Sequence, residues 1–104
     1  MVRHVVCWDL HERAGGRDKS TNASLIKAEL LALKALIPEI RSIEVGVNAE
    51  SADPENYDVV LIAEFDNFEQ LKRYSQHPEH QRFVNFISGI RRQRVAVDYE
   101  TSRS

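Results

Sequence analysis

Four stretches of the chain carry the short apolar pattern that is typical of strands. "VRHVVCWD" near the start is rich in valine and is bounded by polar sequence, and "YDVVLIAEF" beyond the middle is a longer apolar stretch. "RSIEVGVN" alternates Ile43, Val45 and Val47 with polar or small residues, as a half-buried strand does. "RRQRVAVDYE" near the end is the last predicted strand. We therefore predict four strands, of which the third is apolar on both faces.

One long segment carries the pattern of an amphipathic helix. Its apolar residues are spaced by four, three and four positions, which places them on one helical face: Ile26, Leu30, Leu33 and Ile37. Pro38 disfavours helical geometry in the residue before it, so we predict a helix over residues 24–37. The preceding residues 11–22 are polar and contain two adjacent glycines, which predicts a loop.

Two shorter helices are predicted on either side of His77 and Pro78. Asn67 is suited to cap the first of them, with Gln70 three residues later. Pro78 is suited to the first position of the second, which leaves His77 just outside that helix. One face of the second helix carries His80, Phe83, Val84 and Ile87.

The order of these elements indicates the fold class. Strand, helix, strand, strand, helix pair and strand is the plan of an α+β, ferredoxin-like domain, with an antiparallel four-stranded sheet and its helices on one face. A length of 104 residues fits one such domain, covering residues 1–104. We expect residues 101–104 to form a frayed tail.

The first strand indicates what happens on the face without helices. Alternation places His4, Val6 and Trp8 on one face and Val5 and Cys7 on the other. Since a large exposed apolar patch is uncommon on a monomer, we expect a second copy to cover the open face and form a homodimer. We assign His4, Val6 and Trp8 to this open face. Two facing sheets would enclose an α+β barrel whose interior holds a small ligand.

Composition and charge narrow the classes of partner. The formal net charge of −2 and the isoelectric point of about 6.1 argue against nucleic acid as a partner. No apolar run approaches the roughly 20 residues that span a bilayer, and the first residues do not resemble a signal peptide. We therefore expect a cytoplasmic protein without membrane contact. The cluster of Arg91, Arg92 and Arg94 is typical of a solvated strand edge.

The candidate chemistry lies in "YSQHPEH", which contains Tyr74, His77 and His80. Residues six apart on one straight helix point in different directions, but a break at Pro78 lets Tyr74 and His80 reach one pocket. A histidine can transfer a proton at neutral pH, and a tyrosine hydroxyl can polarise a substrate oxygen. Structural roles remain open: His77 as a helix-cap acceptor, His80 and His4 as core histidines, and Tyr74 as a packing aromatic.

The sequence gives no indication of a metal or cofactor. His77 and His80 supply only two ligands, and Cys7 is the only cysteine, which excludes a multi-cysteine site. Cys7 lies in an apolar run, where we expect a small buried side chain.

Several segments resemble one known family, the stress-responsive α/β barrel domain, often called Dabb. They are "RHVVCWDL", "IPEIRSIEVGVN", "YDVVLIAEF", "YSQHPEH" and "VAVDYE". The most specific is Tyr-x-x-His-Pro-x-His, formed by Tyr74, His77, Pro78 and His80, and the resemblance extends over residues 2–100. It implies a ferredoxin-like dimer in which two sheets form a barrel.

For function, the resemblance implies less. Many Dabb members have no assigned activity, while a plant branch catalyses aldol-type cyclisation of a linear polyketide with a Tyr/His pair. Carried over, His80 would be the general base, Tyr74 its partner, and His4 a pocket residue. The chain departs from that branch in two ways: its first helix has no tyrosine, and Asp58 stands where the cyclase has a histidine.

Three hypotheses follow. The first is a Dabb homodimer of unassigned activity that binds a small apolar molecule in a pocket lined by His4, Val6, Trp8 and His77. The second is a cofactor-free enzyme, similar to the cyclase or to a monooxygenase, that uses Tyr74 and His80. The third is an interaction or stability module. The volume of the pocket separates the third hypothesis from the other two. An empty pocket with Tyr74 and His80 both facing in favours the enzyme, and a cavity filled by Trp8 and Phe65 favours the interaction module.

Overall fold

A computed structural model of the protein describes residues 1–101. The elements, in chain order, are β1 (Val2–Leu10), β2 (Arg13–Ala14), β3 (Arg17–Asp18), α1 (Lys19–Leu36), β4 (Ser42–Val47), β5 (Val59–Phe65), α2 (Phe68–Gln76), α3 (Pro78–Ile87) and β6 (Arg91–Glu100). The four longer strands form one antiparallel sheet in the order β4-β5-β1-β6. This is the ferredoxin-like α+β fold that the sequence predicts.

The first helix begins earlier than predicted. α1 starts at Lys19, five residues before residue 24, because the carboxylate of Asp18 caps it by accepting a hydrogen bond from the Thr21 N–H at 2.8 Å. The last four residues of the predicted loop, 19–22, are thus the first turn of the helix. Ile37 ends the helix, as expected from the proline that follows it.

A small hairpin replaces most of the predicted loop before α1. β2 and β3 are joined by Gly15 and Gly16, whose φ angles are +60° and +77°. A two-residue turn with positive φ at both positions matches the twist of the strands, and glycine adopts this conformation without steric cost. The hairpin packs on α1 through Asn22, which is fully buried.

The helices cover one face of the sheet, and His4, Val6 and Trp8 lie on that face. His4 is 8% exposed, Val6 1% and Trp8 4%, and they pack towards α2 and α3. Our assignment of these residues to the open face is therefore wrong. Alternation correctly places the three together, but β1 is a central strand with apolar residues on both sides, so its pattern does not show which side the helices cover.

The opposite face of the sheet is the open face. It carries half-buried or exposed apolar side chains: Val5, Cys7, Val60, Ile62, Val95, Val97 and Tyr99. Cys7, which we expected to be a small buried side chain, is half-buried in the single chain. The patch crosses three strands, and Val97, directly opposite Val5, is 56% exposed.

β6 is an edge strand, as predicted for the arginine-rich segment. It pairs only with β1 in the described part of the chain. The register shifts at one point: Asp9 is opposite Gln93, whereas Leu10 is opposite Arg91, so Arg92 is an extra residue in β6. Such a bulge changes the alternation of side chains along the strand.

The end of the chain differs in part from the predicted tail. The Thr101 N–H donates to the Met1 carbonyl oxygen at 2.9 Å, which continues the pairing of the termini. The other residues of that predicted tail, 102–104, lie outside the described residues. In residues 1–101, no helix combines the length and the apolar character needed to cross a membrane.

Candidate functional site

A cavity of about 250 Å³ lies between the sheet and the helices α2 and α3. The residues that line it come from five elements: His4, Val6, Trp8, Leu61, Tyr74, His80, Phe83, Val84, Ile87, Arg91 and Arg94. The cavity belongs to a single copy of the chain, whereas we expected a pocket between two facing sheets. Its wall is mostly apolar, with the polar atoms supplied by two histidines, one tyrosine and two arginines.

The break between α2 and α3 brings Tyr74 and His80 together. Tyr74 is the last buried residue of α2, and His80 lies in the first turn of α3. Their ring centroids are 4.4 Å apart. The chain turns at His77, whose extended conformation (φ −67°, ψ 137°) is the one favoured before a proline.

His77 itself is a capping residue. Its Nδ1 accepts a hydrogen bond from the Glu79 N–H at 3.1 Å, while its own N–H donates to the Tyr74 carbonyl oxygen. It thereby closes α2 and begins α3. His77 does not line the cavity, so our expectation of a pocket-lining residue is wrong there. The N–H groups in the first turn of a helix have no partner within the helix, and the His77 ring accepts from one of them, that of Glu79.

His80 is poised as a neutral base. Its Nδ1 lies 3.1 Å from the Ser75 carbonyl oxygen, which can only accept, so Nδ1 carries the proton and Nε2 holds the lone pair. Burial lowers the pKa of His80, because the charged imidazolium is poorly solvated there; the hydrogen bond to Ser75 opposes this shift, and the charges of His4 and Arg94 add to it. At neutral pH the ring is therefore uncharged.

Tyr74 is buried against three aromatic rings. Only 1% of the residue is exposed, and its ring centroid lies 5.0 Å from that of Phe65 and 6.0 Å from that of His4. Burial raises the pKa of Tyr74 well above its usual range, although the charge of Arg94 acts in the opposite direction. The hydroxyl thus stays protonated and is available as a hydrogen-bond donor to a molecule in the cavity.

His4 is oriented by a carboxylate that the sequence analysis did not identify. Asp98 lies opposite His4 in the β1–β6 register, and its Oδ1 is 2.5 Å from His4 Nδ1. The bond fixes the ring and leaves Nε2 as the second nitrogen of the site. The available signal was the alternation of β6, which places Asp98 on the same face as Ala96 and Arg94 once the strand is paired with β1.

Arg91 and Arg94 are the other residues missed as site residues. Both lie on an exposed strand edge, as predicted, but their side chains also line the cavity. Asp58, which stands where the cyclase branch has a histidine, lies elsewhere. It accepts a hydrogen bond from the Leu10 N–H at 2.8 Å and lies 3.5 Å from Lys19 Nζ, so it has a structural role.

Comparison with known proteins assigns the chain to a family. The sequence model of the family described as Stress responsive A/B Barrel Domain, or Dabb, matches residues 2–101. The chain belongs to the Dabb family. This Dabb domain is also 35% identical over 84 residues to an uncharacterised protein of Streptomyces coelicolor, a match that covers 81% of this chain and 84% of the relative.

Solved structures agree with the assignment of the fold. A dimeric, ferredoxin-like protein of unknown function from Bacteroides fragilis is 34% identical, with a TM-score of 0.83 and coverage of 96% of this chain and 95% of that one. A hydroxynitrile lyase from Passiflora edulis is 15% identical, with a TM-score of 0.76 and coverage of 99% and 94%. The latter similarity shows the shared fold alone.

Proposed function

We propose that this Dabb protein binds a small, largely apolar molecule in the cavity beside Tyr74 and His80, and that it does so as a cytoplasmic homodimer. The observation that carries the proposal is the cavity itself, in which apolar walls surround a few polar groups with defined hydrogen bonds. This is the usual composition of a small-molecule site.

The size of the cavity supports a compact ligand. A dry cavity of about 150 Å³ accommodates benzene. The volume of about 250 Å³ found here therefore has room for one ring with a short polar substituent. Trp8 and Phe65 do not fill this space, since Trp8 forms part of the wall and Phe65 is packed against Tyr74. That arrangement favours a binding role over a plain interaction module.

The test is an NMR titration of the protein with small aromatic ketones and phenols. His80→Gln assigns the His80 ring signals by their loss. We expect those signals to shift on binding, because the ligand would lie against the free Nε2. The signals of His77 serve as the internal control and should stay in place, since that ring caps α3 outside the cavity. If neither His80 nor Trp8 responds to any compound, the binding proposal is wrong.

A second candidate function is cofactor-free proton transfer next to a carbonyl group. The observation that favours it is the pairing of a neutral histidine, whose Nε2 is unprotonated, with a protonated tyrosine 4.4 Å away between ring centroids. His80 would take the proton while Tyr74 donates a hydrogen bond to the carbonyl oxygen. Solvent deuterium exchange at the α-carbon of a bound ketone measures this step. Binding without exchange above the rate in buffer would contradict it.

The homodimer in this proposal uses the open face. Its apolar side chains on β1, β5 and β6 would be covered by the same patch of a second copy, as in a two-fold interface. The Bacteroides fragilis protein of the same fold is described as dimeric, which supports this arrangement. The cavity lies on the other side of the sheet, so each copy would carry a complete site.

A further inference from the structure

We propose that the ligand of this cavity is an anion, namely a compact aromatic carboxylate whose charged group is held by Arg91 and Arg94. The inference rests on the proposed binding function and specifies the class of ligand. The size of the cavity and its apolar walls do not determine whether the ligand is charged. The charges of the residues around the cavity do.

The two arginines differ from their neighbours in having no partner. Arg13 and Arg17 donate to the Gly16 carbonyl oxygen and to Asn22. Five further arginines are paired with carboxylates: Arg3 with Glu64, Arg41 with Asp66, Arg73 with Glu69, Arg82 with Glu79 and Arg92 with Asp9. Within residues 1–101, the side chains of Arg91 and Arg94 make neither an ion pair nor a hydrogen bond, although both residues pair with β1 through the backbone. Two guanidinium groups that line one cavity repel each other, and a bound anion would relieve that repulsion.

The β-bulge is what brings the two arginines to the same side of the sheet. Residues three apart in a regular strand point to opposite faces. The extra residue at Arg92 shifts the alternation, so that Arg91 lies opposite Leu10 and Arg94 lies opposite Trp8, both of which face the helices. Arg92 points away and binds Asp9 at 2.6 Å.

The rest of the lining has no negative charge to satisfy these arginines. Among the described residues that line the cavity there is no aspartate or glutamate. Asp98, the carboxylate on the same face of β6, is bonded to His4. The positive charge of Arg94 also influences both Tyr74 and His80, which places it close to the polar groups of the site. Guanidinium groups match the planar geometry of a carboxylate, and a ring of the size estimated above fits the apolar wall.

The test compares acids with their neutral amides. Benzoate, phenylacetate and 3-phenylpropionate are titrated by calorimetry against benzamide, phenylacetamide and 3-phenylpropionamide, each pair having the same shape but different charge. Trp8 is the only tryptophan and lines the cavity, so its fluorescence reports whether the compound binds there. We expect the best acid to bind at least about tenfold more tightly than its amide. Added salt should weaken binding of the acid and leave the amide unchanged.

Variants then assign the preference to the two arginines. The double variant Arg91→Gln with Arg94→Gln should bind the acid no better than it binds the matching amide. Arg92→Gln is the control, because it removes one positive charge from the same strand at a side chain that binds Asp9 and does not line the cavity. It should retain the wild-type preference for the acid.

The outcomes separate this inference from the function on which it rests. Equal affinity of acid and amide for the wild-type protein would overturn the anion inference and leave the binding function standing. An acid preference that survives in the double variant, or that is lost in Arg92→Gln, would also overturn it. If no acid or amide changes the Trp8 fluorescence or releases heat, while the ketones and phenols shift His80, the anion inference alone is wrong. If nothing binds in either experiment, both are wrong.

Discussion

Single side chains determine the protonation of the cavity. His80 donates from Nδ1 to the Ser75 carbonyl, and His4 donates from Nδ1 to Asp98, so each ring keeps Nε2 as the remaining nitrogen. The contact between α2 and α3 fixes the His80 ring, and the pairing of β1 with β6 fixes the His4 ring. In a preorganised binding site, neighbouring groups hold the functional side chains in place through hydrogen bonds. The bonds to Ser75 and Asp98 do this for His80 and His4.

The lowered pKa of His80 predicts a pH dependence of stability. In the unfolded chain the ring titrates near 6.5, whereas in the folded protein burial holds its pKa lower. Below pH of about 6.5 the unfolded state therefore binds a proton that the folded state resists, and the free energy of unfolding falls with falling pH until the folded pKa is passed. Above pH of about 6.5 the contribution of His80 is fully present.

The variant His80→Gln tests this dependence. The charged and titratable groups around His80 are His4 on β1, Tyr74 on α2, Arg94 on β6 and His77 at the helix junction, and all remain in the variant. We expect its free energy of unfolding, measured in urea at several pH values, to fall less steeply below pH of about 6.5 than that of the wild type. Parallel curves for the two proteins would contradict the assignment.

At the scale of elements, Asn22 joins the β2–β3 hairpin to α1. Its Oδ1 accepts from Arg17 Nε at 2.7 Å, and its Nδ2 donates to the carbonyl oxygens of Ala14 and Arg17 at 3.1 and 3.4 Å. Because the side chain is fully buried, its loss leaves these groups without partners in a place where water has little access.

We expect Asn22→Ala to lower the free energy of unfolding by about 2 kcal/mol. Asn85→Ala is the matched control, since Asn85 is an exposed helical residue and the same gain in helix propensity applies to both positions. Chemical denaturation of the two variants beside the wild type measures the difference. An equal effect of both substitutions would show that the buried amide does not anchor the hairpin.

The sequence predicts the elements that depend on local signals. Asn67 and His77 act as caps in the structure as expected, because capping depends on residues two or three positions away. The predicted start of α1 was wrong, because the first turn of the helix is polar and lacks the apolar spacing that identified the rest. The face occupied by His4 could not be deduced because both faces of β1 are apolar.

The site residues that escaped prediction depend on long-range pairing. Asp98 reaches His4 across 94 positions of sequence, and only the β1–β6 register brings them together. Arg91 and Arg94 share a face because of a bulge, and no local pattern in "RRQRV" indicates one. Tyr74 and His80 were predictable as a pair because the proline between them signals the break that lets them meet.

At the scale of the whole molecule, the open face predicts the oligomeric state. Val97 lies in β6 opposite Val5 and is 56% exposed in the single chain. A lysine there would place a charge inside an apolar interface, where it loses its hydration without gaining a partner. We therefore expect Val97→Lys to convert the proposed dimer into a folded monomer.

Sedimentation measures the mass, and circular dichroism verifies that the fold is retained. Leu31→Lys is the control, because Leu31 is an apolar residue of similar exposure (42%) on α1, at the helical side of the molecule. It should sediment as the wild type does. A dimeric Val97→Lys protein, or a monomeric wild type, would contradict the proposed interface.

The edge strand β6 has side chains on both faces of the sheet, some on the open face and others on the cavity side. Val95 and Val97 point to the open face, whereas the neighbouring Arg94 lines the cavity and the neighbouring Asp98 contacts His4 in the cavity wall. If a ligand orders this strand from the cavity side, it also orders the apolar side chains of the proposed interface, and linkage makes such coupling reciprocal. Cavity occupancy and self-association would then reinforce each other, so the apparent affinity for the ligand should rise with protein concentration. A protein of this design would respond to its own abundance in the cell as well as to its ligand.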